Sequence, residues 1–163
     1  LNEALTYITL EYVTVAFNVA DSDQKAGGDG GGIFHTEEQL TGITMRNTVI
    51  GKNRDKSGPA HDCVGVITAE AYNLVQNTEG CVLTGALTGL ITGVDPKLGP
   101  LGLHGGQTKN HLPRSNSPVV DVIPSATCPS SLDQRGVSRP QDGNNDGEQH
   151  CDIGATERKP ARQ

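Results

Sequence analysis

Three stretches in the first half of this chain are written in one register, and a repeat of that kind narrows the fold more than any other feature. Leu5-Thr6-Tyr7-Ile8-Thr9-Leu10-Glu11 aligns with Leu40-Thr41-Gly42-Ile43-Thr44-Met45-Arg46 at an offset of 35 residues. It aligns again with Val64-Gly65-Val66-Ile67-Thr68-Ala69-Glu70 after a further 24 residues. The match runs on: Val15, Ile50 and Leu74 correspond, as do Asn18, Asn53 and Asn77. The copies therefore span 5–18, 40–53 and 64–77, with a weaker fourth near 87–93. The difference between the offsets falls between Asn18 and Leu40, where the glycine-rich run 26–32 marks a loop insertion.

A period of roughly 20–50 residues belongs to solenoids, propellers and arrays. Each copy here is a set of short, alternating, β-branched runs joined by turns, without a helical period. A parallel β-helix fits this best, with each coil stacked about 4.8 Å above the last. Side chains alternate faces along a strand, so Ile8, Ile43 and Ile67 are expected inside and Thr9, Thr44 and Thr68 outside. Glu11, Arg46 and Glu70 then alternate in sign up one face, which separates like charges. Asn18, Asn53 and Asn77 are expected to form a turn ladder, because Asn tolerates left-handed turn positions and bonds neighbouring backbone. Three or four coils reach only about 15–20 Å, and both ends of so short a stack need a cap or a continuation. The chain starts at Leu1 with no Met and no signal-like core, so it is expected to be processed or to belong to something longer.

Composition agrees with a thin core. Of 163 residues 34% are hydrophobic and 3% aromatic, while Gly numbers 21, so a thick core on aromatic anchors is excluded. A net charge of -6 and the scarcity of aromatics leave no basic, base-stacking footprint for nucleic acid. No apolar run approaches the roughly 18 residues of a membrane span. Cys63, Cys81, Cys128 and Cys151 lack zinc-site spacing, and an even count at loop-like separations points to two disulfides in an oxidising compartment. Three pairings are open; the local one, Cys63–Cys81 with Cys128–Cys151, is the expectation.

From Asp95 the texture turns Pro-, Gly- and Ser-rich. The coils are thus assigned to 1–94, a loop-rich, disulfide-stapled C-terminal cap to 95–157 and a tail to 158–163. The later region reads Asp95-Pro96-Lys97-Leu98-Gly99-Pro100-Leu101, Gly105-Gly106-Gln107-Thr108 and Asn116-Ser117-Pro118-Val119-Val120-Asp121. Then come Asp133-Gln134-Arg135-Gly136-Val137-Ser138-Arg139-Pro140 and Cys151-Asp152-Ile153-Gly154-Ala155-Thr156-Glu157. This ordered set resembles the choice-of-anchor Q domain family of bacterial surface proteins, whose pattern is approximately DPxLGPL, NGGPT, SPAIDAG, DQRGxxRP and CDIGAxE. Asp62-Cys63, Tyr72-Asn73-Leu74, Cys81 and the run 30–34 are similar to that family too, so the likeness covers roughly 30–157. His104, Gln107, Val122 and Thr156 depart from its pattern. The resemblance implies a right-handed parallel β-helix, an extracellular or cell-surface location on a bacterium, and an anchor appended beyond the domain. It implies no catalytic residues. The acidic and basic side chains Asp121, Asp133, Arg135 and Arg139 are expected to satisfy open backbone groups and one another in the cap.

One constellation carries ligand chemistry. Asp142-Gly143-Asn144-Asn145-Asp146-Gly147 matches the first half of a calcium loop, in which alternate oxygen ligands converge around a glycine turn. Position 12 is Ile153 instead of Glu, and Asp152 lies one place early, so the expected calcium set is Asp142, Asn144, Asp146 and Asp152. The same residues also suit a solvated turn without metal; no other cofactor is expected. There is no G-x-S-x-G elbow, no Walker loop and no H-E-x-x-H motif. The acidic ladder positions Glu11 and Glu70 are separated by Arg46, a poor arrangement for paired-carboxylate glycan cleavage. The sequence is therefore read as a non-enzymatic, extracellular structural or adhesive element, forming homo-oligomers or a filament by end stacking and presenting loop 19–39 as contact surface. The alternative is a glycan-binding or glycan-cleaving β-helix with a surface glycan as partner.

Overall fold

A computed structural model describes residues 6–23, 29–35, 41–128 and 131–161. Leu5, Leu40, residues 24–28 and 36–39 of loop 19–39 (with them the start of the glycine-rich run) and the last two tail residues lie outside the described residues. The chain divides into two compact units, Leu1–Val94 and Asp95–Gln163. The described residues hold thirteen strands and no helix, so the fold is all-β. No helix among them is long and apolar enough to cross a membrane.

The first unit contains β1 (Thr6–Glu11), β2 (Thr14–Ala16), β3 (Val19–Ala20), β4 (Ile33–Phe34), β5 (Thr41–Arg46) and β6 (Val49–Gly51). It continues with β7 (Arg54–Asp55), β8 (Cys63–Ala69), β9 (Leu74–Val75), β10 (Cys81–Thr84) and β11 (Ile91–Thr92). Its strands pair in parallel, in the orders β1-β5-β8-β10 and β11-β9-β6-β2, with β3 beside β7 and β4 beside the start of β8. The repeat offset is the pairing register: Ile8 faces Ile43, Thr9 faces Thr44, Thr44 faces Thr68, and Leu83 faces Ile67. Ile43, Met45, Ile67 and Ala69 are buried together with Ile50 and Val75, an aliphatic core that needs no aromatic anchor.

Two details differ from the sequence alignment. In the second sheet Val15 pairs with Ile50 and Ile50 with Val75, one residue beyond Leu74. The corner after β8 is a residue longer than its counterparts, and because Leu74 and Val75 are both apolar the hydrophobic pattern accepts either register. The corners turn at Tyr12, Asn47 and Tyr72, all in the left-handed region (φ 51, 52 and 49°). The fourth level begins at Cys81, not Leu87; Ile91–Thr92 belongs to the second sheet, against Leu74–Val75. The Cys63–Cys81 disulfide (Cα–Cα 5.3 Å) joins the ends of β8 and β10 at this step.

The turn ladder is also only partly amide to amide. Asn53 Oδ1 accepts from the backbone N–H and the Nδ2 of Asn18, both at 3.0 Å. Between Asn53 and Asn77, however, stands the buried carboxylate of Asp62. One oxygen accepts from Asn53 N and Nδ2, and the other from Asn77 N at 2.7 Å. Gly65 permits the close approach of β4: its φ is +98°, and a Cβ there would collide with the His35 carbonyl.

The second unit carries β12 (Leu98–Gly102) and β13 (Asn110–Pro113), an antiparallel pair, and otherwise runs as turns and isolated bridges. Val119, Ile123, Cys151 and Ile153 form its apolar interior. Cys128 is bonded to Cys151 (Cα–Cα 5.8 Å).

Candidate functional site

The first level of the first unit is chemically unfinished. β1 and β2 terminate their sheets, and β3 pairs only with β7, so one edge of each has no partner strand among the described residues. Ile8 is 47% exposed, while its equivalents Ile43 and Ile67 are 7% and 0% exposed. Leu10 and Val15 are likewise half-buried where Met45 and Ile50 are fully enclosed. Tyr7, Phe17 and Val19 add exposed apolar surface to the same level. An unpaired parallel edge rimmed by such side chains is a template for another strand. On the outer face Arg46 bonds Glu70 through Nε and Nη2, which supplies the opposite-sign contact at the second and third levels.

In the second unit the calcium-like motif folds as a turn around its own backbone. The Asp142 oxygens accept from Asp146 N (3.1 Å) and Gly147 N (3.0 Å). Asn144 Oδ1 accepts from Asp146 N, and its Nδ2 donates to Asp146 Oδ2. Asp121, unassigned to the loop by its sequence position, accepts from Gly143 N and Asn144 N. Burial pushes the Asp121 carboxyl upward, and the charges of Asp142 and Asp146 push the same way. The Glu148 N–H and the Asn144 amide hold the exposed Asp146 below its ordinary value. Asp152 does not join this loop: it is fully buried, with its oxygens on Asp121 N (2.8 Å) and Arg158 N (2.6 Å). Three of the four expected ligands are thus near neighbours and the fourth is not. Among the described residues, no group of three or more His, Cys, Asp or Glu is arranged to hold a metal ion.

Asp152 belongs instead to an enclosed charge cluster. The Arg139 guanidinium donates to the Glu157 carboxylate and to the carbonyls of Asp152 and Gly154. Glu157 also accepts from Asp152 N and Gln141 N, both at 3.1 Å. Beside it Asp133 receives the Arg135 guanidinium together with Arg135 N, Val137 N and Glu157 N. Burial drives Asp152 up to about 7, against its two backbone donors. Burial and then the Asp152 charge drive Glu157 up to about 8, against Arg139. For Asp133 burial opposes, but its N–H and guanidinium donors win and hold the carboxyl low. Raised carboxyls are the signature of acid–base sites, yet Asp152 and Glu157 have no exposed surface for a substrate to reach. Their chemistry is to satisfy the backbone of a segment that lacks a sheet ladder. Asp133, Arg135 and Arg139 were legible in this role from sequence. Asp152 and Glu157 were not, although two acids flanking the apolar Ile153-Gly154-Ala155 run are the available signal.

No protein-family model, curated protein or solved structure matches this chain. What the geometry defines is therefore a class: an all-β chain with mostly parallel strands in sheets and two disulfides, in which β1 and β2 at one end and β10 and β11 at the other have no further partner strand among the described residues.

Proposed function

We propose that the chain is an extracellular structural or adhesive element whose first unit is a parallel β-helix, and that its open first level receives another copy, end to end. The observation that carries this reading is the contrast at one repeat position, Ile8 half exposed and Ile43 and Ile67 enclosed. Completing the level would bury Ile8, Leu10 and Val15, each worth about 1.5–3 kcal/mol on full burial. Right-handed coiling and a place on a bacterial surface follow from the resemblance to the choice-of-anchor Q domain family. The two disulfides fit an oxidising, extracellular setting. The role in this reading is non-enzymatic: Glu70 is held by Arg46, and Asp152 and Glu157, the two carboxyls driven furthest up, are sealed from substrate.

Sedimentation velocity across a concentration series tests the end contact. The chain should associate with increasing concentration, and Ile8→Lys should remain monomeric with an unchanged circular dichroism spectrum, since Ile8 is only half-buried. A wild-type chain that stays monomeric throughout, or an Ile8→Lys variant that associates equally, overturns the reading.

A further inference from the structure

One position in the first sheet holds a residue that a strand does not favour. β5 carries Gly42 inside its paired length, where glycine supplies no side chain to pack and costs chain entropy. Two usual reasons for a strand glycine do not apply. The pairing of β5 with β1 is continuous from Thr6 to Glu11, so there is no bulge, and the backbone of Gly42 is not left-handed. What fills the space is the ring of Tyr7 on the neighbouring strand: a Cβ at position 42 would stand 2.9 Å from its Cδ1 and 3.1 Å from its Cε1. The glycine thus lets this ring lean across the sheet. The ring is not buried by doing so, for Tyr7 remains 68% exposed.

The rest of that outer face suits one kind of ligand. Phe34, also exposed, stands opposite Val64, four residues before Thr68 and on the same face of β8. Beside the aromatic side chains runs a row of hydroxyls. Thr9, Thr44, Thr68 and Thr84 pair level by level, and none of these four hydroxyls is bonded among the described residues. Each can both donate and accept. Along the same strands Glu11, Arg46 and Glu70 leave one net negative charge, which repels polyanions such as acidic glycans and nucleic acid. An aromatic ring takes apolar C–H groups and free hydroxyls take other hydroxyls. A pyranose ring offers both, without charge.

We propose that the outer face of the first sheet binds a neutral glycan chain, with a pyranose stacked on Tyr7, Phe34 beside it, and sugar hydroxyls bonded by Thr44 and Thr68. Gly42 is a positioning residue: it touches no sugar and lets the Tyr7 ring lie where it does. The site gives the adhesive part of the proposed function its ligand and rests on that part alone. The end-to-end contact uses strand edges, not this face.

The test is an amide-resolved NMR titration of the full chain with the neutral hexasaccharides of cellulose, xylan, mannan and chitin in turn, and with hexagalacturonate as the acidic counterpart. At least one neutral hexasaccharide should shift the amides of Thr44 and Thr68 and the ring signals of Tyr7 saturably, and hexagalacturonate should not. Tyr7→Ala removes the stacking ring, while Gly42→Val displaces it. An exposed ring shifts at little cost, so both variants keep the fold. Each should weaken the glycan about tenfold or more, the scale of one aromatic contact. No saturable shift with any neutral hexasaccharide, preference for hexagalacturonate, or undiminished affinity in both variants overturns the proposal. A chain that then still associates with concentration keeps the end-to-end reading, so the two fail separately.

Discussion

Asp152 and Glu157 bury two carboxyls in the neighbourhood of one guanidinium, Arg139, which bonds the Glu157 carboxylate but only the main-chain carbonyl of Asp152, and that imbalance governs how the second unit answers to pH. Their folded values, about 7 and about 8, lie above the ordinary 3.8 and 4.5. The folded unit therefore holds protons that the unfolded chain releases earlier. By linkage, stability falls as pH rises from the ordinary carboxylate range to about 8 and levels off beyond it. Asp133, held low by its donors, acts oppositely and withdraws stability only in more acidic solution. A melting series should thus show the second unit's transition temperature decreasing from pH 5 to 8; an increase across that range contradicts the assignment. This part of the molecule was only half legible in sequence. Formal charge marks Asp133 and Arg135 as partners, but the apolar run beside Asp152 and the calcium-like spacing before it point in opposite directions. The choice was made by Asp121 and Arg158, whose N–H groups reach it from 31 and 6 residues away.

Among the elements, the strands of the first sheet were readable because identical residues at a constant offset become neighbours in a parallel ladder. All six positions of β1 pair with β5 at that offset. The second sheet was less readable, since an extra corner residue leaves two adjacent apolar side chains interchangeable in pattern. The fourth level was misplaced for a related reason: the apolar residues near Leu87 imitate the repeat, while Cys81–Thr84 pairs with β8 after a much shorter connection. That level is short and its strand β10 is half exposed, so the Cys63–Cys81 bond matters to it more than core burial does. Removing the bond with Cys63→Ala and Cys81→Ala should cost about 3 kcal/mol by loop-closure entropy for its 18-residue separation. A urea titration should show a lowered midpoint for the first unit, and an unchanged midpoint contradicts this role.

At the scale of the whole molecule, the proposed end-to-end assembly rests on the first unit, whose parallel strands close over an aliphatic core. Ile8, Tyr7, Phe17 and Val19 are exposed there, beside unpaired strand edges. The low aromatic content and lack of a thick core, evident in composition, leave repetition as the main source of order. Electron microscopy of the native material, with the intact mass of its polypeptide, tests the end-to-end claim most directly. Filaments with a regular axial repeat, built from chains joined through the first level, are the expected result. Isolated particles at every concentration, with the first level facing solvent, would contradict it.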